Sequence, residues 1–163
     1  MIRNGYTYTP DGDRNKRYKI SRIETISSGS IDMNKVGSSD EINEQYRMEQ
    51  GDILVSHINS IQYLGNSAIY NIPETLYHGM NLLCVRCNHE KIDPEYLHAY
   101  MLTDMYFKFV RERAKRAVNQ CSIPVSDFKE LPVCVPTIVE QERISSTFKW
   151  LDNLITLHQR GKT

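Results

Sequence analysis

Three observations predict an α+β fold. Short apolar runs of strand length, Ile53-Leu54-Val55 and Leu82-Leu83-Cys84-Val85, lie between turn-forming clusters in the first part of the chain. Two helix-start signals follow, at Asp93-Pro94 and at Thr137-Ile138-Val139-Glu140. After the second, apolar residues recur with heptad spacing almost to the C-terminus. The expected architecture is a twisted, β-rich domain with packed helices over residues 1–136, followed by a coiled-coil-type helix over 137–163.

Residues 1–15 are polar and rich in Gly, Tyr and Asp, which predicts a loop or a frayed edge strand. Residues 18–26 alternate well enough for a strand, and 27–30 read as a turn. Residues 48–58 cross a turn at Gly51-Asp52 into the strand at Ile53. Further strands are expected over 67–72 and 80–87, with a loop around Pro73. Asp93 is an N-cap, and Pro94 stands at the first helical position, where its missing N–H costs nothing. Leu97, Tyr100 and Met101 form one apolar face, but the phase is lost at Thr103-Asp104, which can cap a second helix carrying Phe107, Val110 and Ala114. A bend or two consecutive helices are therefore predicted between 94 and 117. Residues 123–135 read as extended, with a possible turn over 126–129.

The C-terminal segment is the most informative. Thr137 precedes Glu140 by the capping-box interval, in which hydroxyl and carboxylate each accept from an otherwise orphaned backbone N–H, so a helix should start near Ile138. Ile144, Phe148, Leu151, Ile155 and His158 then recur at alternating steps of four and three, a seam that needs a partner. Trp150 falls off this seam, and Gly161 ends the pattern.

As a string, Leu131-Pro132 through Pro136 and Glu140-Gln141 to Ile144, followed by Leu151-Asp152-Asn153-Leu154-Ile155-Thr156-Leu157-His158-Gln159-Arg160, resembles the junction between a target recognition domain and the spacer helix in specificity (S) subunits of type I restriction-modification systems. The resemblance covers roughly residues 18–160. It continues upstream, in family order, through the blocks at Gly51–Ser56, Gly65–Tyr70, Ile92–Leu97 and Val118–Ile123. The C-terminal block is specific; the upstream pieces are weak singly. The chain departs from the family in two places: a fuller segment usually precedes the strand at Tyr18, and His57 stands where an arginine is common.

What the resemblance implies is a non-catalytic division of labour. Residues 1–136 would be a DNA target recognition domain reading one half of a bipartite sequence in double-stranded DNA. Residues 137–163 would be a shortened spacer that pairs with a second S half or self-associates and docks the methyltransferase subunit, with the restriction subunit reached through the assembled complex. One recognition domain and one spacer make a half-subunit, a truncated product or an excised domain. The alternative reading is an assembly or decoy factor that binds no DNA and engages S or methyltransferase subunits through the same helix.

Composition narrows the field. Twenty basic and twenty acidic residues balance, which argues against a free-standing, strongly electrostatic nucleic-acid binder. The charges are unevenly placed, however. Arg14, Lys16, Arg17, Lys19 and Arg22 cluster in one stretch and Lys108, Arg111, Arg113, Lys115 and Arg116 in another, whereas residues 40–52 are acidic. A cleft between the strand block and the helical block would bring Arg22, His57, Asn59 and Gln62 opposite Lys115, Arg116, Asn119 and Gln120. Arg, Asn and Gln can make bidentate base contacts, while Lys115 and Arg116 are better suited to phosphate. The partner interface is expected at Ile144, Phe148, Leu151, Ile155 and His158.

No phosphate loop, nucleophile elbow, His-Glu-x-x-His or methyltransferase-type loop is present, so the chain reads as a non-enzyme without cofactor. Cys84-Val85-Arg86-Cys87, near His89, raises the reading of a small thiol or metal enzyme. On a strand, residues three apart point to opposite faces, which disfavours a shared metal. With no apolar run of membrane-spanning length and no signal-peptide pattern, the expected compartment is the cytoplasm.

Overall fold

The structure, a computed structural model, describes residues 1–8 and 16–160. In chain order the strands are β1 (Ile2–Asn4), β2 (Tyr18–Ile20), β3 (Ile26–Ser27), β4 (Ser30–Ile31), β5 (Gly37–Ser39), β6 (Ile53–Ser56), β7 (Ile58–Asn59), β8 (Ser67–Ile69) and β9 (Leu82–Val85). Helices α1 (Pro94–Tyr100) and α2 (Asp104–Arg113) come next, then β10 (Lys115–Arg116), β11 (Cys121–Ser122), α3 (Val125–Phe128) and α4 (Ile138–Arg160).

The central sheet has the order β1-β9-β6-β8, antiparallel throughout, with Ile53 opposite Val85 and Val55 opposite Leu83. Its two middle strands are buried on both faces, which is why they read as continuous apolar runs rather than as alternation. Ile53, Val55, Leu83 and Val85 join Leu97, Met101, Tyr106, Phe109 and Val110 from α1 and α2 in the larger core. Leu54 and Leu82 point the other way, into a second core with Val36, Met48, Tyr70 and Leu76. Beneath that second core lie two small antiparallel pairs, β2 with β5 and β3 with β4. Ser28 and Gly29, both at positive φ, make the turn between β3 and β4 that was expected at 27–30.

One expected element needs correction. Residues 18–26 are not one strand: β2 ends at Ile20 and a 3-10 turn occupies Ile23–Thr25. There the Arg22 amide donates to Thr25 Oγ1 at 2.8 Å, while the Thr25 amide donates to the Arg22 carbonyl at 3.0 Å. Within 123–135 the turn expected over 126–129 is the single-turn helix α3, begun one residue earlier behind Pro124 as its cap, and it seats Phe128 in the larger core. The predicted edge strand at the N-terminus is β1, while residues 9–15, with Arg14, lie outside the described residues.

The helix starts fall where their caps stand. Asp93 accepts from the Tyr96 amide at 2.7 Å, and Thr103 caps α2, so two consecutive helices follow Asp93, ending at Arg113 ahead of β10. At α4, the Thr137 amide donates to Glu140 Oε2 at 3.0 Å and the Glu140 amide returns to Thr137 Oγ1 at 3.4 Å. No helix among the described residues is long and apolar enough to cross a membrane.

Candidate nucleic-acid interface

A three-stranded sheet, β10-β11-β7, gathers most of the polar residues picked out in the sequence. Arg116 pairs with Cys121, and Cys121 in turn with Asn59. Beyond them the Ala117 amide donates to the Gln120 carbonyl at 2.8 Å, leaving Val118 and Asn119 as the two residues of a hairpin tip. The tip is anchored from below: Cys121 and Ile123 belong to the larger core, and the Ile123 amide donates to the His57 carbonyl at 3.0 Å. Arg116, Asn119 and Gln120 are exposed and share an open hollow of about 310 Å³ with Ser60 and Ile61.

Asn59, next in sequence to Ser60, lines a second hollow of about 540 Å³ with Ile23, Glu24, Lys35, Tyr63 and Asn66. Its amide is committed locally, donating to Ser56 Oγ at 2.9 Å and accepting from the Ser60 amide at 2.8 Å. Gln62 is exposed on the adjoining turn, which closes through Tyr63 and Leu64 amides on the Ser60 carbonyl.

Three residues of the expected cleft are placed differently from the rest. His57 is buried, its Nδ1 lying 3.4 Å from the Ile123 carbonyl. Burial lowers its pKa, the hydrogen bond to Ile123 only partly offsetting it, which disfavours the charged ring, and the side chain supports the hairpin from beneath. Arg22 lies in a neighbouring hollow with Tyr8, Ser21 and Met80, where it pairs with Glu24 at 3.4 Å. Lys115 is turned to Asp127, 3.8 Å away.

The basic run on α2 is largely engaged as well. Lys108 pairs with Glu112 and Arg113 with Glu130, each at 4.0 Å, while Arg111 and Arg113 lie over the rings of Phe107 and Phe109. Arg116 is the member of the run with no ion pair or ring contact among the described residues.

The C-terminal helix meets the domain through a polar stripe. Gln141 is fully buried: its Oε1 accepts from the Asp93 amide at 2.9 Å, and its Nε2 donates to the carbonyls of Lys91 (3.0 Å) and Pro136 (2.9 Å). Ser145, one turn on, is also buried, and Lys149 reaches Glu95 of α1 at 2.7 Å. Tyr96 and Tyr100 tie the preceding segment to α1 by donating to the carbonyls of Cys134 and Pro132 at 2.7 and 2.8 Å. The heptad seam lies on the adjoining stripe, about 100° round the helix. Ile144, Phe148, Leu151 and Ile155 keep between 37% and 55% exposure, and His158 is exposed. The seam therefore does not complete the core of its own domain.

The cysteine pair carries no comparable arrangement. Cys84 is buried in β9 and Cys87 half-buried beyond its end, and burial pushes their thiols up to about 12 and about 11, against thiolate formation. Among the described residues no three His, Cys, Asp or Glu side chains group closely enough to hold a metal ion. A different charged cluster went unnoticed in the sequence: buried Asp52 accepts from Arg86 Nε at 2.8 Å and Nη2 at 2.7 Å, and from the Glu49 amide at 2.8 Å.

Known structures share this arrangement of sheet, helices and terminal helix. The type I restriction-modification S subunit from M. genitalium superposes with a TM-score of 0.64 at 15% identity, over 94% of this chain and 36% of that one. A chain from work on complex assembly and conformational transition of the type I R-M system gives 0.71 at 15% identity, over 98% of this chain and 37% of that one. The family model for the type I restriction modification DNA specificity domain matches residues 2–163, and the chain belongs to that family. A putative type I restriction enzyme MjaX specificity subunit from Methanocaldococcus jannaschii is 44% identical over 164 residues, covering 95% of this chain. The chain spans 37% of that relative's length.

Proposed function

We propose that the chain is a sequence-reading DNA module of a type I restriction-modification system, recognising one half of a bipartite target and docking the methyltransferase subunit. The observation that carries the reading is the anchored hairpin, which presents Arg116, Asn119 and Gln120 beside Asn59 on a surface the domain does not cover. The Arg116 guanidinium and the Asn119 and Gln120 amides match the donor and acceptor patterns of base edges, and Arg116 makes no ion pair among the described residues, which leaves its charge for base or phosphate. Gln62 extends the same surface. His57 acts from beneath, and Arg22 and Lys115 are the peripheral members of the set.

With a balanced net charge and most cations of α2 already engaged, the non-specific electrostatic contribution is small. Affinity then depends on base contacts and on help from the methyltransferase subunit. Residues 137–163 supply the second function. The open seam at Ile144, Phe148, Leu151, Ile155 and His158 suits antiparallel pairing with another S half and a place against the methyltransferase. An assembly or decoy factor would use the same seam, so the hairpin separates the two readings. Selection from a random duplex pool, with and without a methyltransferase subunit and at several salt concentrations, tests them. Enrichment of one half-site supports DNA reading, and capture of the methyltransferase with no enriched sequence supports the assembly factor.

A further inference from the structure

The hairpin tip carries a side chain that the fold does not use. Val118 is 99% exposed, the most exposed of the large apolar residues. Tight hairpin tips favour Asn, Asp and Gly, and a β-branched residue gains nothing there from turn geometry. Neither core contains it, so removing its methyl groups leaves the packing of the domain intact.

Its neighbours define what could cover it. Arg116 precedes it on the same hairpin, Asn119 shares the tip, and Gln120 follows, so the apolar group is framed by a cation and two amides. A hydrophobic protein patch would leave those polar groups unpaired, whereas a polyanion whose base edges combine hydrogen-bonding sites with methyl groups satisfies all of them. β10 and β11 end the three-stranded sheet as a projecting hairpin, a two-stranded shape which the major groove of B-DNA accommodates, and apolar side chains there meet the C5-methyl of thymine. Wedges that unstack bases from the minor groove are mostly larger, such as Phe, Leu, Ile or Met. The ribbon is also firmly based, through the pairing of Cys121 with Asn59 and the Ile123 amide on the His57 carbonyl.

We infer that Val118 is a specificity-determining residue that reads a thymine methyl group in the major groove of double-stranded DNA. This rests on the DNA-reading role proposed above. Arg116, Asn119 and Gln120 hydrogen-bond the neighbouring base edges or backbone, while Val118 gives the apolar contact that distinguishes thymine from the other bases.

The test uses the half-site enriched by the full chain, together with its methyltransferase subunit where that is required for binding. Each thymine is replaced in turn by deoxyuridine, which removes only the methyl, and affinities are measured for wild type, Val118→Ala and Val118→Ser. At one position wild type should prefer thymine by about fourfold, the value of one buried methyl group. Val118→Ser should lose that preference to within twofold while keeping the wild-type melting temperature and its preferences elsewhere in the site. Indifference of the wild type to every replacement, or undiminished discrimination by Val118→Ser, overturns the inference and leaves the DNA-reading role standing. If no sequence is enriched with or without the methyltransferase, both fall.

Discussion

Replacing Gln141 by leucine perturbs the joint between the domain and its terminal helix while nearly conserving volume. The side chain is fully buried and makes three hydrogen bonds, to the Asp93 amide and to the Lys91 and Pro136 carbonyls. Leucine leaves the Asp93 N–H without its side-chain partner, a penalty of about 1–3 kcal/mol, and forfeits two further bonds worth about 0.5–1.5 kcal/mol each. The gain in apolar burial offsets part of this, so the net loss should be about 2–4 kcal/mol. For a chain of this length that lowers Tm by about 4–16 °C. Thermal melting followed by circular dichroism gives the magnitude, and amide hydrogen exchange at Asp93 gives the location. Gln141→Glu should be worse, because it places a carboxylate against two carbonyl oxygens. Ser145→Ala, which loses only a 3.2 Å bond to the Glu142 carbonyl of its own helix, should cost far less. A Gln141→Leu protein that melts within 1 °C of wild type with unchanged exchange at Asp93 would refute the latch.

Other expectations follow from the same structure. The double change Leu151→Asp and Ile155→Asp should leave Tm within about 2 °C, as befits exposed positions, yet abolish self-association and methyltransferase binding in sedimentation experiments. Asp52→Ala should cost about 3 kcal/mol in urea denaturation, because it removes two charge-assisted bonds from the Arg86 guanidinium, which keeps only Glu49 and the Arg47 carbonyl, and frees the Glu49 amide. Burial depresses His78 from its ordinary 6.5 to about 4, so between those values the unfolded chain binds a proton that the folded chain refuses. Stability should therefore be intact above pH 6.5 and fall by about 3 kcal/mol as pH drops toward 4, with His57 and His98, also lowered by burial, adding to the slope. Titrating unfolding free energy against pH should give a flatter curve for His78→Gln, which keeps a donor for the Leu82 carbonyl.

What was legible in the sequence was local. Asp93, Thr103 and Thr137 each cap a helix through atoms three residues away, so their meaning is complete within one turn of chain. The doubly buried strands were legible because a continuous apolar run needs no knowledge of what covers it. Gln141 was not, since its partners lie up to 50 residues away and nothing in Glu-Gln-Glu-Arg distinguishes a buried amide from a solvated one. The Asp52–Arg86 pair is hidden in the same way, 34 residues apart. Residues 18–26 misled for a different reason: they hold two separate strand ends, at Ile20 and Ile26, joined by a 3-10 turn that Arg22 and Thr25 close between themselves, and a polar pair three apart is no distinct signal inside an apolar-polar alternation. In the expected cleft, the sequence picked out Asn59, Arg116, Asn119 and Gln120 by residue type but showed neither the hairpin that joins the last three, since 94–117 read as helical, nor which side chains are exposed. His57 and Val118 show the difference, one a polar residue that is buried and the other an apolar residue that is bare.

The contrast between the two stripes of α4 bears on how reading and assembly are coupled. The stripe that faces the domain is polar and satisfied bond by bond, through Gln141 and Lys149, whereas the adjoining stripe is apolar and open. Apolar contacts tolerate sliding; a triply hydrogen-bonded amide does not, because a small rotation breaks distance and angle together. The helix therefore leaves the domain at a fixed angle, set at the segment that also holds the start of α1. A partner bound to the seam is consequently held in a defined orientation to β10 and β11, some distance away across the larger core. Within the proposed role, the distance and rotation between two half-sites would be determined at Gln141 as much as along the spacer itself, so a loosened latch should broaden the accepted half-site spacing without altering the bases each half prefers.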